Sequence, residues 1–402
     1  MSAIATTTSG SLPRSRALID ANAAREFEED GFTLRSTPEF ESLVATAVGD
    51  VVEHQREAGI TLVGDGEYGK AMSNALDYGA WWSYSFQRVA GLSLTDTDLF
   101  TQPFAVSVPG RIELTSFLDR RDRQLFPAVY ADPHSGAFTG RTATAFPTTT
   151  GPLVYRGQDA VAADIRHLRD ALRPGEQGFL TAISPGSGSR VWNEHYATEE
   201  EHIHAWADAL REEYKSITDA GLVLQIDDPS LAENWDQISP EPTVADYRTF
   251  TRIRVEALNH ALDGLPKELV RLHVCWGSWH GPHVTDIPIS DILPVVLEAN
   301  VGSISFEAGN VRHEHEWTAW QDAAAAGTIP DDLVLVPGVV SHATNVVEHP
   351  DLVAQRIGRF AGIVGADRVI ASTDCGLGGR IHPDIAWAKL DALGEGARRA
   401  SA

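Results

Sequence analysis

The chain of 402 residues contains two cysteines, Cys275 and Cys375, and a histidine two places before the first of them, His273. Each cysteine precedes a turn glycine (Gly277, Gly376) at the end of a short apolar run, and Glu307 closes another such run. One residue separates His273 from Cys275, so on a strand their side chains point to the same side. Imidazole, thiolate and carboxylate are the preferred ligands of zinc, which binds them tetrahedrally at roughly 2.0–2.3 Å. Taken singly, each cysteine reads as a small buried hydrophobe and Glu307 as a salt-bridge partner. Taken together, His273, Cys275, Glu307 and Cys375 read as a Zn2+ site. Structural zinc sites gather their ligands from short local loops. These four are spread widely along the chain, which requires a preformed scaffold and suits a catalytic site. Two thiolates and a carboxylate leave Zn2+ with a net charge of about −1, a poor activator of water but a good partner for a soft sulfur substrate. Lowering the pKa of a bound thiol from its usual ~8.5 while keeping the thiolate electron-rich points to thiol alkylation rather than hydrolysis.

The scaffold is legible as a repeated phrase of amphipathic helix, glycine, short β-branched run, and then an acidic or sulfur residue. Thr37 caps and Pro38 opens a helix whose apolar positions run from Phe40 to Val52 at helical spacing; Gly59 stops it, and Ile60 to Val63 leads into Asp65-Gly66-Glu67. Thr198 and Glu201 form a capping box for a helix lined by Ile203, Trp206, Leu210, Tyr214 and Ile217. Gly221 ends it, and Leu222 to Ile226 leads into Asp227-Asp228. Later repeats end at His273, at Glu307, at Pro337-Gly338 and at Asp374-Cys375. Continuous apolar strands alternating with helices predict a parallel sheet covered on both faces. Ile4 to Thr8, Leu153 to Tyr155 and Phe179 to Ile183 complete nine candidate strands. Eight would close a single (β/α)8 TIM-type barrel, leaving one peripheral; no glycine-rich phosphate fingerprint supports an open doubly wound sheet. Residues 84–145 do not follow the phrase and read as an insertion over the barrel, either a lid or a contact between copies in a homo-oligomer. No linker divides residues 1–402 into two domains.

A net charge of −24 (32 basic against 56 acidic residues) argues against nucleic acid or an anionic membrane as partner. With 43% apolar and 22% charged residues the chain can bury a large core. No stretch reaches the ~18 apolar residues of a membrane span. Two cysteines and a Thr/Ser-rich start without an apolar core predict a soluble, cytoplasmic protein without disulfides or a signal peptide.

Several segments resemble the cobalamin-independent methionine synthase family, specifically its zinc-bearing barrel. Thr6-Thr7-Thr8-Ser9-Gly10-Ser11-Leu12-Pro13 is similar to that family's opening segment, Gly64-Asp65-Gly66-Glu67 to its Gly-Glu motif, and Gln225-Ile226-Asp227-Asp228-Pro229 to its Gln-Ile-Asp-Glu-Pro motif. His273-Val274-Cys275, Glu307 and Asp374-Cys375-Gly376-Leu377 match its zinc motifs in order. The resemblance implies zinc on His273, Cys275, Glu307 and Cys375. It also implies recognition of homocysteine by Ser9 and Ser11 backbone groups, Glu67 and Asp227, and proton donation to a departing folate by His342. The chain departs from the pattern in three places. It has no room for a second, folate-holding barrel; Asp228 replaces a Glu; and Gly338-Val339-Val340-Ser341-His342 lacks an Asp and shifts the histidine by one. The epoxyalkane:coenzyme M transferases share the zinc chemistry and supply the alternative, an epoxide opened by a zinc-bound thiolate. There Arg312 or Arg380 would meet a sulfonate, and Trp81, Trp82, Trp276 and Trp279 would wall an apolar pocket. Either reading implies small-molecule partners, a thiol and an alkyl donor.

Overall fold

The computed structural model describes residues 4–70, 80–137 and 146–401. Ten strands are present among them: β1 (Ala5–Thr6), β2 (Leu62–Gly64), β3 (Val89–Ser93), β4 (Thr148–Tyr155), β5 (Gln177–Ile183), β6 (Val223–Asp227), β7 (Val270–Val274), β8 (Ser303–Glu307), β9 (Val334–Val340) and β10 (Ile370–Thr373). Eight form one sheet in the order β1-β10-β9-β8-β7-β6-β5-β2, with every pairing parallel. Across the seam, the Thr61 N–H donates to the Thr6 carbonyl (3.1 Å) and the Thr7 hydroxyl to the Leu62 carbonyl (2.9 Å). These bonds bring the two ends of the sheet together, and the result is the (β/α)8 barrel expected from the sequence.

The helices form where capping and periodicity placed them. Thr37 Oγ1 accepts from the Phe40 N–H at the head of the helix Pro38–Glu57, and both halves of the Thr198/Glu201 capping box are made at the head of Glu199–Asp219. Ile203, Trp206, Leu210, Tyr214 and Ile217 are all buried against the sheet. Gly59 (φ +84°) and Gly221 (φ +76°) follow the two helix ends in the left-handed region that a side chain disfavours. Strands such as β7 are buried at every position, as a sheet covered on both faces demands.

Of the nine candidate strands, eight form the barrel and the ninth is peripheral. Leu153 to Tyr155 lies in β4, which pairs antiparallel with β3 in a separate two-stranded sheet. Exposed positions break its burial and Val154 is 59% exposed, the mark of a half-covered hairpin rather than of a barrel strand. The connection from β2 to β5 carries this hairpin together with the helices Ala80–Arg88 and Gln158–Ala171. Residue 84, where the insertion was expected to begin, falls inside the first of these helices, and residues 138–145 of the insertion lie outside the described residues. Arg88 ties this connection down by ion pairs to Asp164 (2.5 Å) and Glu213 (3.1 Å), all three largely buried. Among the described residues no helix is long and apolar enough to cross a membrane.

The hairpin also docks through His202, which is 2% exposed; its Nε2 lies 2.9 Å from Thr149 Oγ1 and accepts from the Trp206 indole N–H (3.1 Å). Burial pushes this imidazole down to about 4. An unfolded histidine takes up its proton near ~6.5, so between these values the unfolded chain binds more protons than the folded one. Stability present above ~6.5 should therefore fall by up to about 3 kcal/mol as the pH drops to about 4. Urea unfolding midpoints at neutral and acid pH, in the native chain and in His202→Gln, check this; the variant should lose that share of the pH dependence.

Candidate functional site

The ends of β2, β6, β7, β8, β9 and β10 converge on one mouth of the barrel, the face where barrels of this kind carry their reactive groups. His273 lies on β7 and Cys275 one residue beyond its end, on the same side, while Cys375 lies two residues beyond β10. Their ligand atoms all lie within 4.8 Å of one another, and the three residues are 2%, 5% and 8% exposed. The two sulfurs are 3.7 Å apart. That is far beyond the ~2.0 Å of a disulfide. It matches the ~3.8 Å between two thiolates at ~2.3 Å on a single tetrahedral ion. The contact polarises the pair. The hydrogen bond with Cys275, helped by His273, holds Cys375 well below the usual thiol range, and the same contact together with burial pushes Cys275 well above it.

The orientation of the His273 ring follows from its neighbours. The Ser9 hydroxyl donates to the Thr373 carbonyl (2.7 Å), which can only accept. The Ser9 hydroxyl also meets Ser372 (3.1 Å) and Ser305 (3.4 Å), and Ser305 Oγ lies 3.2 Å from His273 Nδ1, which anchors the imidazole through that nitrogen. Nε2 is buried and without a hydrogen-bond partner. An orphaned imidazole nitrogen beside two close sulfurs is the donor set a soft divalent metal takes.

Glu307 does not join these three. Its carboxylate accepts from the Trp276 backbone N–H (3.1 Å) and from the Asn310 side-chain amide (2.6 Å). It falls instead in an adjacent group with His342 and Asp374, whose ligand atoms also lie within 4.8 Å of one another. Burial pushes Glu307 above the ordinary carboxylate range and pushes the His342 imidazole down to about 3, so His342 is neutral, with Nδ1 buried and unpartnered. Asp374 accepts backbone N–H groups of Ala308 (2.8 Å) and Gly309 (2.7 Å) and reaches Asn310 (3.1 Å).

The other expected residues lie around this centre. Ser9 joins β10 to Ser305, while the Ser11 carbonyl accepts from the N–H groups of Leu377 and Gly378, packing the opening segment against the loop after Cys375. Asp227 ends β6 opposite His273; burial pushes its carboxyl up, with His273, Glu67 and Lys70 all close enough to act on it. Glu67 holds a left-handed backbone (φ +63°) and accepts from the Thr181 hydroxyl (2.6 Å). Trp276 is a packing residue, its indole donating to the Ile287 carbonyl and stacking on His313. His313 is itself buried between Asp286 and Glu316 rather than solvated. Trp279 and Trp82 contact insertion residues, Trp279 through Tyr130 and Arg120 and Trp82 through Phe117. Arg380 binds Ser278 and the Gly376 carbonyl, and Arg312 lies at the surface against the Val284 carbonyl.

Sequence reading missed Ser305, Asn310 and Lys70. Ser305 was detectable as the residue two before Glu307 on the same strand face; the other two depend on contacts between strands.

A (β/α)8 barrel with two thiols and an imidazole gathered at the C-terminal mouth of its sheet is the class that the fold and site define. No family model matches the sequence. The chain is 27% identical over 231 residues to the 2-hydroxypropyl-CoM lyase of Xanthobacter autotrophicus, covering 51% of this chain and 56% of that protein. It is 26% identical over 208 residues to the methionine synthase of Saccharolobus solfataricus, covering 52% and 53%. The alignments thus span about half the length of these curated relatives. Among solved structures, a B12-independent methionine synthase from Shewanella sp. W3-18-1, in complex with selenomethionine, superposes with a TM-score of 0.67 at 19% identity, covering 100% of this chain and 98% of that one. Its likeness lies in the fold.

Orientation of the imidazole by Ser305 is open to test. Ser305→Ala should weaken retention of a divalent metal by about 10–100-fold with the fold intact. Competition with a chromophoric chelator measures this; unchanged affinity would break the link between Ser305 and His273.

Proposed function

We propose that this chain is a zinc-dependent transferase that moves a methyl or other alkyl group onto a small thiol, in the manner of a methionine synthase, with homocysteine or a related thiol as acceptor and 5-methyltetrahydrofolate or another methyl donor. The observation that carries the reading is the pair of sulfurs 3.7 Å apart beside the unpartnered Nε2 of His273. When bound, zinc would lower the pKa of an incoming thiol and keep its sulfur nucleophilic. His273, Cys275 and Cys375 would hold it. Glu307, one residue group away and anchored by Trp276 and Asn310, would serve as the fourth, exchangeable ligand, leaving room for a substrate sulfur.

The remaining roles belong to side chains of the chain itself. Glu67, Asp227 and the backbone of Ser9 and Ser11 orient the acceptor. His342, neutral and with a free ring nitrogen, relays the proton that the departing donor requires. The second reading, opening of an epoxide by the bound thiolate, is favoured by the sequence match to 2-hydroxypropyl-CoM lyase; there His342 would serve the new alkoxide.

A screen of thiols against methyl-folates, methylcobalamin and small epoxides on zinc-loaded protein should yield a thioether, and the productive electrophile decides between the readings. Cys275→Ser and Cys375→Ser should each lose stoichiometric zinc and transfer together, whereas His342→Gln should keep the metal and lose about 10²-fold in kcat. Transfer that survives in the double cysteine variant would refute the assignment.

A further inference from the structure

Glu67, the carboxylate that the homocysteine reading assigns to the substrate ammonium, already has an ammonium of the protein's own. Lys70 Nζ lies 3.2 Å from Glu67 Oε1, the side chains being 5% and 3% exposed. The same ammonium donates to the Thr181 hydroxyl, which in turn donates to Glu67 Oε1 (2.6 Å), so the three groups close a ring. Nζ also sits 4.3 Å from the centre of the Tyr84 ring, whose hydroxyl accepts from the Ile183 N–H and so fixes the ring in place. On the opposite side Gly10 (φ +105°) brings bare backbone against the pair; a Cβ there would stand 3.0 Å from Glu67 Oε1 and 3.3 Å from Thr181. The lysine is therefore built in, enclosed by β5, the helix Ala80–Arg88 and the opening segment.

We propose that Lys70 fills the ammonium position at Glu67 from within the protein, so that the acceptor is a thiol without an α-amino group. This rests on the thiol-transfer reading and narrows its substrate. A second ammonium at Glu67 Oε1 would meet Lys70 within a few ångströms and compete with it for the same oxygen. A des-amino thiol escapes this repulsion.

Homocysteine and 4-mercaptobutyrate differ only in the amino group, which makes them the decisive pair. Titrated into the full chain loaded with Co2+ in place of zinc, and followed both by calorimetry and by the cobalt–thiolate absorption, 4-mercaptobutyrate should bind at least about tenfold more tightly. Lys70→Met should shift the ratio toward homocysteine by about ten- to a hundredfold, and Lys70→Arg should keep the native preference. Homocysteine binding as tightly as its des-amino analogue in the native chain would overturn the assignment, whatever the folding of the variants. Failure of both thiols to change the cobalt spectrum would instead bring down the thiol-transfer reading, and this inference with it.

Discussion

The contact on which the molecule turns joins two sulfurs from strands that are not neighbours. β7 and β10 are separated in the sheet by β8 and β9. Three steps of about 4.8 Å would hold their ends ~14 Å apart in an open sheet. The sulfurs beyond those ends are 3.7 Å apart. Only a closed sheet turns side chains from non-adjacent strands to face each other across one mouth. The threonine hydrogen bonds at the β1–β2 seam, which contact neither cysteine, are therefore conditions for the thiol pair.

Burying such a cluster is costly. An unpartnered imidazole nitrogen costs about 1–3 kcal/mol. Around it, burial pushes Asp227, Glu307 and Asp374 above the ordinary carboxylate range. Cations nearby are committed or weakened: Lys70 to Glu67, and Arg271, which burial pushes down to about 9. Lone pairs and negative charge concentrated at one end of a barrel are what a divalent cation stabilises, and a ligand bound by the native state alone adds its binding free energy to the fold. Stability and chemistry would then depend on the same ion.

The barrel was legible because a sheet covered on both faces leaves continuous apolar runs, and β7 is one, buried at each of its positions. Leu153 to Tyr155 is the peripheral member of the nine candidates, and its three apolar residues do not by themselves show that exposed positions break the burial of β4. His273 and Cys275 could be paired from the period of two, and Cys375 was marked by its turn glycine. Other features are set by pairing between strands, about which spacing along the chain says nothing. Ser305 reaches His273 because the register places the two residues side by side. Lys70 meets Thr181 because β2 pairs with β5. The displacement of Glu307 from the sulfur pair needs the Trp276 N–H and the Asn310 amide, neither predictable before the loops are placed.

The two groups at the mouth are also mechanically joined. Gly338 allows the backbone of Asp374 to press against β9, where any Cβ would fall 2.3 Å from the Asp374 Cα, and the β9–β10 register shifts just before this point. From there the Asp374 carboxylate clasps the N–H groups of Ala308 and Gly309, and the same loop carries Asn310 onto Glu307. Cys375 is the next residue along the chain. Asn310 meets both the Asp374 carboxylate (3.1 Å) and the Glu307 carboxylate (2.6 Å), so the loop that holds Glu307 is tied to the residue before Cys375. The two groups at the mouth are thus linked through one carboxylate, that of Asp374.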